Sequence, residues 1–191
     1  MKWWFTADLH LGHANIIELC ERPFKNIEEM DAALIDNWNS VVDGADTVVV
    51  AGDLTLGHDY ERVRYLYLRH LKGNVILVKG NHDHYLRTAE QKRYMYNRKI
   101  NGRAVYVSHY ALRSWPGMNK RDSWNLHGHS HGTLEPLPNQ LDVGVDVHNF
   151  YPVHYDQVEE QIKEWAKRRD SQSELIRTTS GNPEENPSGR E

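Results

Sequence analysis

Trp3–His10 (WWFTADLH), Thr47–Asp53 (TVVVAGD) and Val75–Asp83 (VILVKGNHD) share one design. Each opens on a short run of aliphatic, β-branched or aromatic residues and ends abruptly in an acid, an amide or an imidazole. Runs this short and this apolar suit strands buried on both faces. Strands are therefore expected at 3–7, 47–51 and 75–78, and Ala104–Val107 and Trp124–Leu126 repeat the pattern. Between the first two runs, Ile27, Met30, Leu34, Ile35, Trp38, Val41 and Val42 recur at helical spacing, with Asn26 and Glu29 placed as a variant of the capping box. A second helix is expected from Asp59 to Leu71, with Tyr60, Val63, Tyr67 and Leu71 on one face and Gly73 as its stop, and a third from Tyr155 to Lys167. Strands alternating with helices imply an α/β fold, in which function gathers beyond the carboxyl ends of the strands.

Polar residues that bind metals or move protons stand at those ends. Asp8 and His10 follow the first strand, Asp53 the second, Asn81, His82 and Asp83 the third, His109 the fourth, and His129 and His131 the fifth. Residues two apart in an extended segment share a face, so Asp8 with His10 and His129 with His131 can each aim two ligands at one point. A lone D-x-H or H-x-H is more often an accident of surface or core. Five clusters in register with five strand ends are not explained that way.

The donor set is oxygen and nitrogen without thiolate, which favours Mn, Fe, Zn or Co over a structural zinc site. Seven candidates (Asp8, His10, Asp53, Asn81, His109, His129, His131) exceed what one ion needs, and suit two ions roughly 3.5–4 Å apart that share a carboxylate.

The ordered set D-x-H, G-D, G-N-H-D, H and G-H-x-H resembles the calcineurin-like metallophosphoesterase superfamily over about residues 3–150. The strings DLHLGHANII, LVKGNHD, SHYALRSWPGMN, LHGHSHG and DVGVDV are similar to its small, single-domain, phage-type phosphohydrolase branch. The resemblance implies a four-layer α/β/β/α sandwich. It implies one metal on Asp8, His10, Asp53 and His131 and another on Asp53, Asn81, His109 and His129, with Asp53 shared. It also implies two divalent ions, Mn²⁺ first, with Fe, Zn, Co or Ni as alternatives. The implied reaction is hydrolysis of a phosphate ester by a metal-bridging hydroxide. His82 would be the general acid, its ring oriented by Asp83.

A phosphodiester, either a cyclic nucleotide or a nucleic acid, is the expected substrate, because the compact chain shows no cap segment. A phosphomonoesterase acting on a nucleotide or other small phosphate is the alternative. A catalytically inactive metal-binding scaffold is a third reading, disfavoured because every ligand position and His82 are filled.

Composition bounds the rest. With 191 residues, one cysteine and a net charge of −4, the chain has the size of one domain and lacks the makings of a disulfide framework. A reducing, cytoplasmic location is the expectation, with no membrane span and no obligate protein partner. Residues 1–168 are expected to form the metallophosphoesterase domain and 169–191 a disordered acidic tail, since residues 170–191 hold 5 acids against 2 bases. The body is then nearly neutral and carries a basic, tyrosine-rich stretch from Arg87 to Arg121. That stretch suits a nucleotide or single-stranded nucleic acid, against the blander reading of a solvated face. His13, Asn15 and Arg113 are the candidate substrate contacts. The first two lie just beyond His10 in sequence, and the third lies in the Arg113-Ser114-Trp115 run after His109. Cys20 is expected to be a small buried apolar residue.

Overall fold

A computed structural model describes residues 1–57, 59–119 and 122–179. Two four-stranded sheets make up its centre. The first contains β1 (Trp3–Thr6), β2 (Thr47–Val50), β3 (Asn74–Leu77) and β8 (Val153–His154), in the order β3-β2-β1-β8. The second contains β4 (Met95–Ile100), β5 (Arg103–Ser108), β6 (Ser123–His127) and β7 (Gln140–Asp142), in that order. β1, β2 and β3 run parallel, as do β5, β6 and β7, while β8 and β4 are antiparallel edges.

Alternation along the strands separates two apolar layers. Trp4, Val48 and Val50 face Met30, Leu34 and Trp38 of helix α2 (Ile27–Val41), with α1 (Asn15–Leu19) and α3 (Tyr60–Leu66) on the same side. Phe5, Ala7, Val49 and Ala51 face the other way, against Val105, Val107, Trp124 and Leu126 of the second sheet. Tyr155, Val158 and Ile162 of α4 (Tyr155–Thr179) close that layer beside β1, β7 and β8. The architecture is mixed α/β, two sheets flanked by helices, as the α/β/β/α expectation held.

Several local expectations are corrected. The helix expected over 59–71 stops at Leu66 and gives way to a 3₁₀ turn, Leu68–His70, because Tyr67 leaves helical dihedrals (φ −125°, ψ −63°). Asp59 caps it, accepting from the Arg62 amide at 2.7 Å. Asn26 caps α2 as expected, but Glu29 reaches back to the Lys25 amide rather than to that of Asn26. β4, β7 and β8 were not expected. The last helix runs past Lys167 to Thr179, since no glycine or proline interrupts the sequence before Gly181. The expected start of a tail at 169 therefore falls inside a helix, and residues 180–191 lie outside the described residues.

Between β5 and β6 the chain makes a long excursion over the outward face of the second sheet. That face is polar yet buried: Ser108, Ser123, Asn125 and Gln140 lie under the loop. Asn125 Oδ1 accepts from the Leu112 amide (3.0 Å) and Gln140 Nε2 donates to the Leu112 carbonyl (2.9 Å). Ser123 Oγ donates to the Pro116 carbonyl (2.8 Å). Each of these loop groups finds a partner on the sheet, as buried polar backbone requires.

Candidate metal centre

All five ligand-bearing loops leave the carboxyl ends of parallel strands, three from the first sheet and two from the second, and they meet at one edge. The turns there are tight. Among the described residues, Asp8 (φ 57°), His10 (52°), Asp53 (55°), His129 (69°) and His131 (45°) all occupy the left-handed region. Non-glycine residues are uncommon there, and such strain gathers at functional sites at a cost of order 1 kcal/mol each. Gly80 and Gly128 allow the loops to close. A Cβ on Gly80 would run into the Asp53 carboxylate, and one on Gly128 would lie 2.5 Å from Asp8 Oδ2.

Among the described residues, four groups of side chains bring ligand atoms within 4.8 Å of one another: Asp8, His10 and His131; Asp8, Asp53 and His109; His10, Asp53 and His82; and, at the margin, Cys20, His131 and Asp146. Asp8 Oδ1 and His10 Nε2 are buried and have no hydrogen-bond partner. Such orphans are costly unless something satisfies them. His10 Nε2 stands 3.8 Å from Asp53 Oδ2, His109 Nε2 3.3 Å from the same oxygen, and His109 Nδ1 3.9 Å from Asp8 Oδ1. Two donor atoms each about 2.1 Å from a shared cation lie roughly 3–4 Å apart. The oxygen and nitrogen donors, their spacing and the orphaned atoms therefore fit divalent cations.

Electrostatics agree. Burial pushes the Asp8 carboxyl up to about 7 and the His10 imidazole down to about 3. Burial is the largest single influence on the Asp53 carboxylate and pushes it up, but the hydrogen bonds from His109 and the His82 amide, together with the charges of His109 and His10, outweigh it and hold Asp53 below its ordinary range. His109, disfavoured as a cation by burial, is raised on balance by the Asp53 and Asp8 carboxylates facing it. Its Nδ1 lies 3.0 Å from the Ala51 carbonyl, and donation there would leave the Nε2 lone pair toward Asp53 and Asn81.

One ligand has a support that the sequence reading missed. His131 Nδ1 lies 2.7 Å from Asp146 Oδ2, which raises the imidazole and lowers the carboxylate. Asp146 is gripped in turn by Arg22, whose Nε and Nη2 donate to its two oxygens at 2.8 Å each. The same buried guanidinium donates to the carbonyls of Asp8 (2.7 Å) and Leu9 (3.0 Å). Cys20, expected to be a small buried apolar residue, packs half-buried against the apolar core with its Sγ 3.5 Å from His131 Nδ1, beside a ligand. The only prior signal was a carboxylate inside the apolar string DVGVDV.

Asn81 and His129 complete the far side. Asn81 is exposed, its Oδ1 2.8 Å from His109 Nε2. His129 is brought in through its backbone, the amide donating to Asp8 Oδ2 at 2.8 Å. The Tyr110 ring lies 4.5 Å from that of His129, with its hydroxyl 3.4 Å from Asn81 Oδ1.

His82 lies 5.1 Å, ring to ring, from His10 and 5.5 Å from His13. Its amide donates to Asp53 Oδ1 at 2.8 Å. The expectation that Asp83 orients the His82 imidazole is corrected. The Asp83 carboxylate turns away and accepts from the amides of Asp53 (2.8 Å), Leu54 (3.0 Å) and Gly80 (2.8 Å), clipping two loops together. His13 does reach the site, its Nδ1 3.3 Å from that of His10. Asn15 is the exposed first residue of α1 and Arg113 is exposed in the loop after β5, and neither belongs to the four ligand groups. The basic stretch does not form one patch. Arg103 pairs with Glu159 at 2.8 Å and lies over Trp124, Arg98 lies over Trp3, and Lys120 and Arg121 are outside the described residues. Tyr85, just before this stretch, and Trp115 within it are buried.

Comparison with known proteins agrees with this picture. The family model for calcineurin-like phosphoesterases matches residues 1–187. An uncharacterized protein of Methanocaldococcus jannaschii is 33% identical over 172 residues, covering 85% of this chain and 92% of its own. The gene 66 protein of mycobacterium phage D29 is 27% identical over 195 residues, covering 84% of this chain and 96% of its own. A protein of unknown function from Aquifex aeolicus, solved by crystallography, shares the fold with a TM-score of 0.61 at 21% identity, covering 84% of this chain and 98% of its own.

Proposed function

The chain belongs to the calcineurin-like phosphoesterase family, and from that premise we propose that it hydrolyses a phosphodiester at a two-metal centre. The family acts on phosphate esters and typically binds divalent metals. The observation that carries the proposal is the pair of buried, partnerless ligand atoms, Asp8 Oδ1 and His10 Nε2, inside a convergence of five loops. One ion would rest on Asp8, His10, Asp53 and His131, the other on Asp53, Asn81, His109 and His129, with Mn²⁺ as the first choice. Two such ions supply a nucleophilic water near neutral pH and neutralise the phosphate oxygens.

The chain's own groups do the rest. Asp53 presents one oxygen toward His10 and His109 while the His82 amide holds the other, so the shared carboxylate cannot rotate. As the water oxygen joins phosphorus and the P–O bond to the leaving alkoxide breaks, His82 passes that alkoxide a proton. His13, beside both His82 and His10, is placed to hold a phosphate oxygen. The exposure of Asn81 leaves the second side open to an ester substituent, which favours a diester over a monoester.

Turnover of bis-p-nitrophenyl phosphate against p-nitrophenyl phosphate by the Mn²⁺-loaded protein tests the reading. Faster diester hydrolysis supports it, a monoester preference overturns the diester assignment, and no hydrolysis of either overturns the activity. His82→Ala should retain metal yet lose turnover of esters with poor leaving groups.

A further inference from the structure

The open side of the centre continues into a groove of about 460 Å³ whose wall includes Asn81, His109, Tyr94, Met95 and Tyr110. Tyr94 (64% exposed), Met95 (42%) and Tyr110 (54%) are large apolar side chains left in solvent together, beside the ligands. Their placement follows from the sheet. Met95 pairs with Ser108 at the end of the β4–β5 ladder, which sets Tyr94 just beyond the ladder on the side where His109 and Tyr110 emerge. The Lys79 amide donates to the Arg93 carbonyl, tying the same segment to the loop that carries Asn81. A wall anchored to both sheets is a preorganised surface rather than a stray loop.

We propose that this groove holds the nucleoside of a nucleotide diester, with its planar base against Tyr94 and Tyr110 while the phosphate lies on the metal ligands. The inference rests on the phosphodiester reading above and adds the identity of the ester's other arm. Tyrosine rings offer broad faces with few torsions to freeze, and any base can stack on them. The volume exceeds what a phosphate alone fills and lies in the range of small-ligand sites. Two polar side chains of the wall, Lys79 and Ser108, are already engaged. Lys79 Nζ donates to the Gly80 and Asp83 carbonyls, and Ser108 Oγ donates to the Tyr110 carbonyl while accepting from Asn125. With those two committed, the broadest surfaces the groove offers are the ring faces of Tyr94 and Tyr110, and it accepts different bases alike.

The test compares thymidine 5′-(p-nitrophenyl) phosphate with methyl p-nitrophenyl phosphate, two diesters with one leaving group, on the Mn²⁺-loaded protein. The nucleoside ester is expected to show kcat/KM about tenfold higher, mostly through KM, with the adenosine ester within about threefold of the thymidine one. Tyr94→Ala should bring the thymidine-to-methyl ratio close to one, and Tyr94→Trp should restore it. Equal rates for the two esters in the parent protein, or a ratio that survives Tyr94→Ala, would overturn the groove while leaving the diesterase standing. If neither ester turns over, the activity itself has failed. The groove is then judged by equilibrium binding of thymidine 5′-monophosphate, which Tyr94→Ala must weaken relative to inorganic phosphate, and equal binding overturns it.

Discussion

The two sides of the candidate centre are built differently. Around Asp8, His10 and His131 the ligands are wholly or largely buried, and the Arg22–Asp146 fork holds one ring and two backbone carbonyls at once. Around Asn81 and His129 the support is thin: an exposed amide, a ring brought in by its backbone, and a tyrosine hydroxyl at 3.4 Å. Such asymmetry separates two tasks. The braced side can keep its ion, while the open side can exchange ligands with solvent and substrate.

The comparison can be broken most severely at Asp53, which both sides share. Asp53→Asn should cost about 10³-fold or more in turnover and remove both ions, as metal analysis of the purified protein would reveal. Retention of one ion would mean that the sides are independent after all. The next largest effect separates them. Asp146→Asn should weaken the braced site's metal affinity by about 10–100-fold, read by chelator competition, and Asn81→Ala should leave that tight site in place while abolishing the weaker one. Equal losses from the two variants would remove the asymmetry.

Protons give a subtler probe, because the two largest shifts caused by burial, at Asp8 and His10, fall on the braced side. In metal-free protein the Asp8 carboxyl, raised from 3.8 to about 7 by burial, favours the fold when protonated. That contribution is lost as pH climbs from about 4 to about 7. The His10 imidazole, lowered from 6.5 to about 3 by burial, favours the fold when neutral, so its contribution grows between about 3 and 6.5. The two oppose each other. His10→Ala should expose the Asp8 effect alone, and denaturation midpoints of the metal-free variant should fall between about pH 5 and 7, by up to about 1.4 kcal/mol per unit. Identical pH slopes for parent and variant would contradict the assignment. The smallest effect is expected on the open side, where Tyr110→Phe removes one long hydrogen bond and should change methyl-ester turnover less than about threefold.

Which parts of this were legible beforehand follows from distance along the chain. Asp8, Asp53 and His109 stand directly after the apolar runs that become strands, so local pattern alone placed them. Arg22 and Asp146 are 124 residues apart, and nothing short of the fold brings them together. Asp83 misled for the opposite reason. It adjoins His82 in sequence, yet neighbouring side chains in a tight turn diverge, and three unpaired amides were better partners for its carboxylate than an imidazole. β4 escaped notice because MYNRKI reads as a charged surface segment, which is how an edge strand avoids unwanted pairing. The burial of Trp115 and of Tyr85, which stacks on Tyr60 of α3, likewise depends on partners far away in the chain.

The left-handed backbone at five ligand positions bears on redesign. Asparagine, aspartate and histidine are among the few side chains that tolerate that conformation, so the vocabulary available at these positions is set by the turn as well as by the ion. Exchanging His129 or His131 for cysteine to recruit a softer metal would alter donor chemistry and backbone preference together. Grafting this centre onto another scaffold therefore means transplanting the shape of its turns, and a list of ligands is not enough.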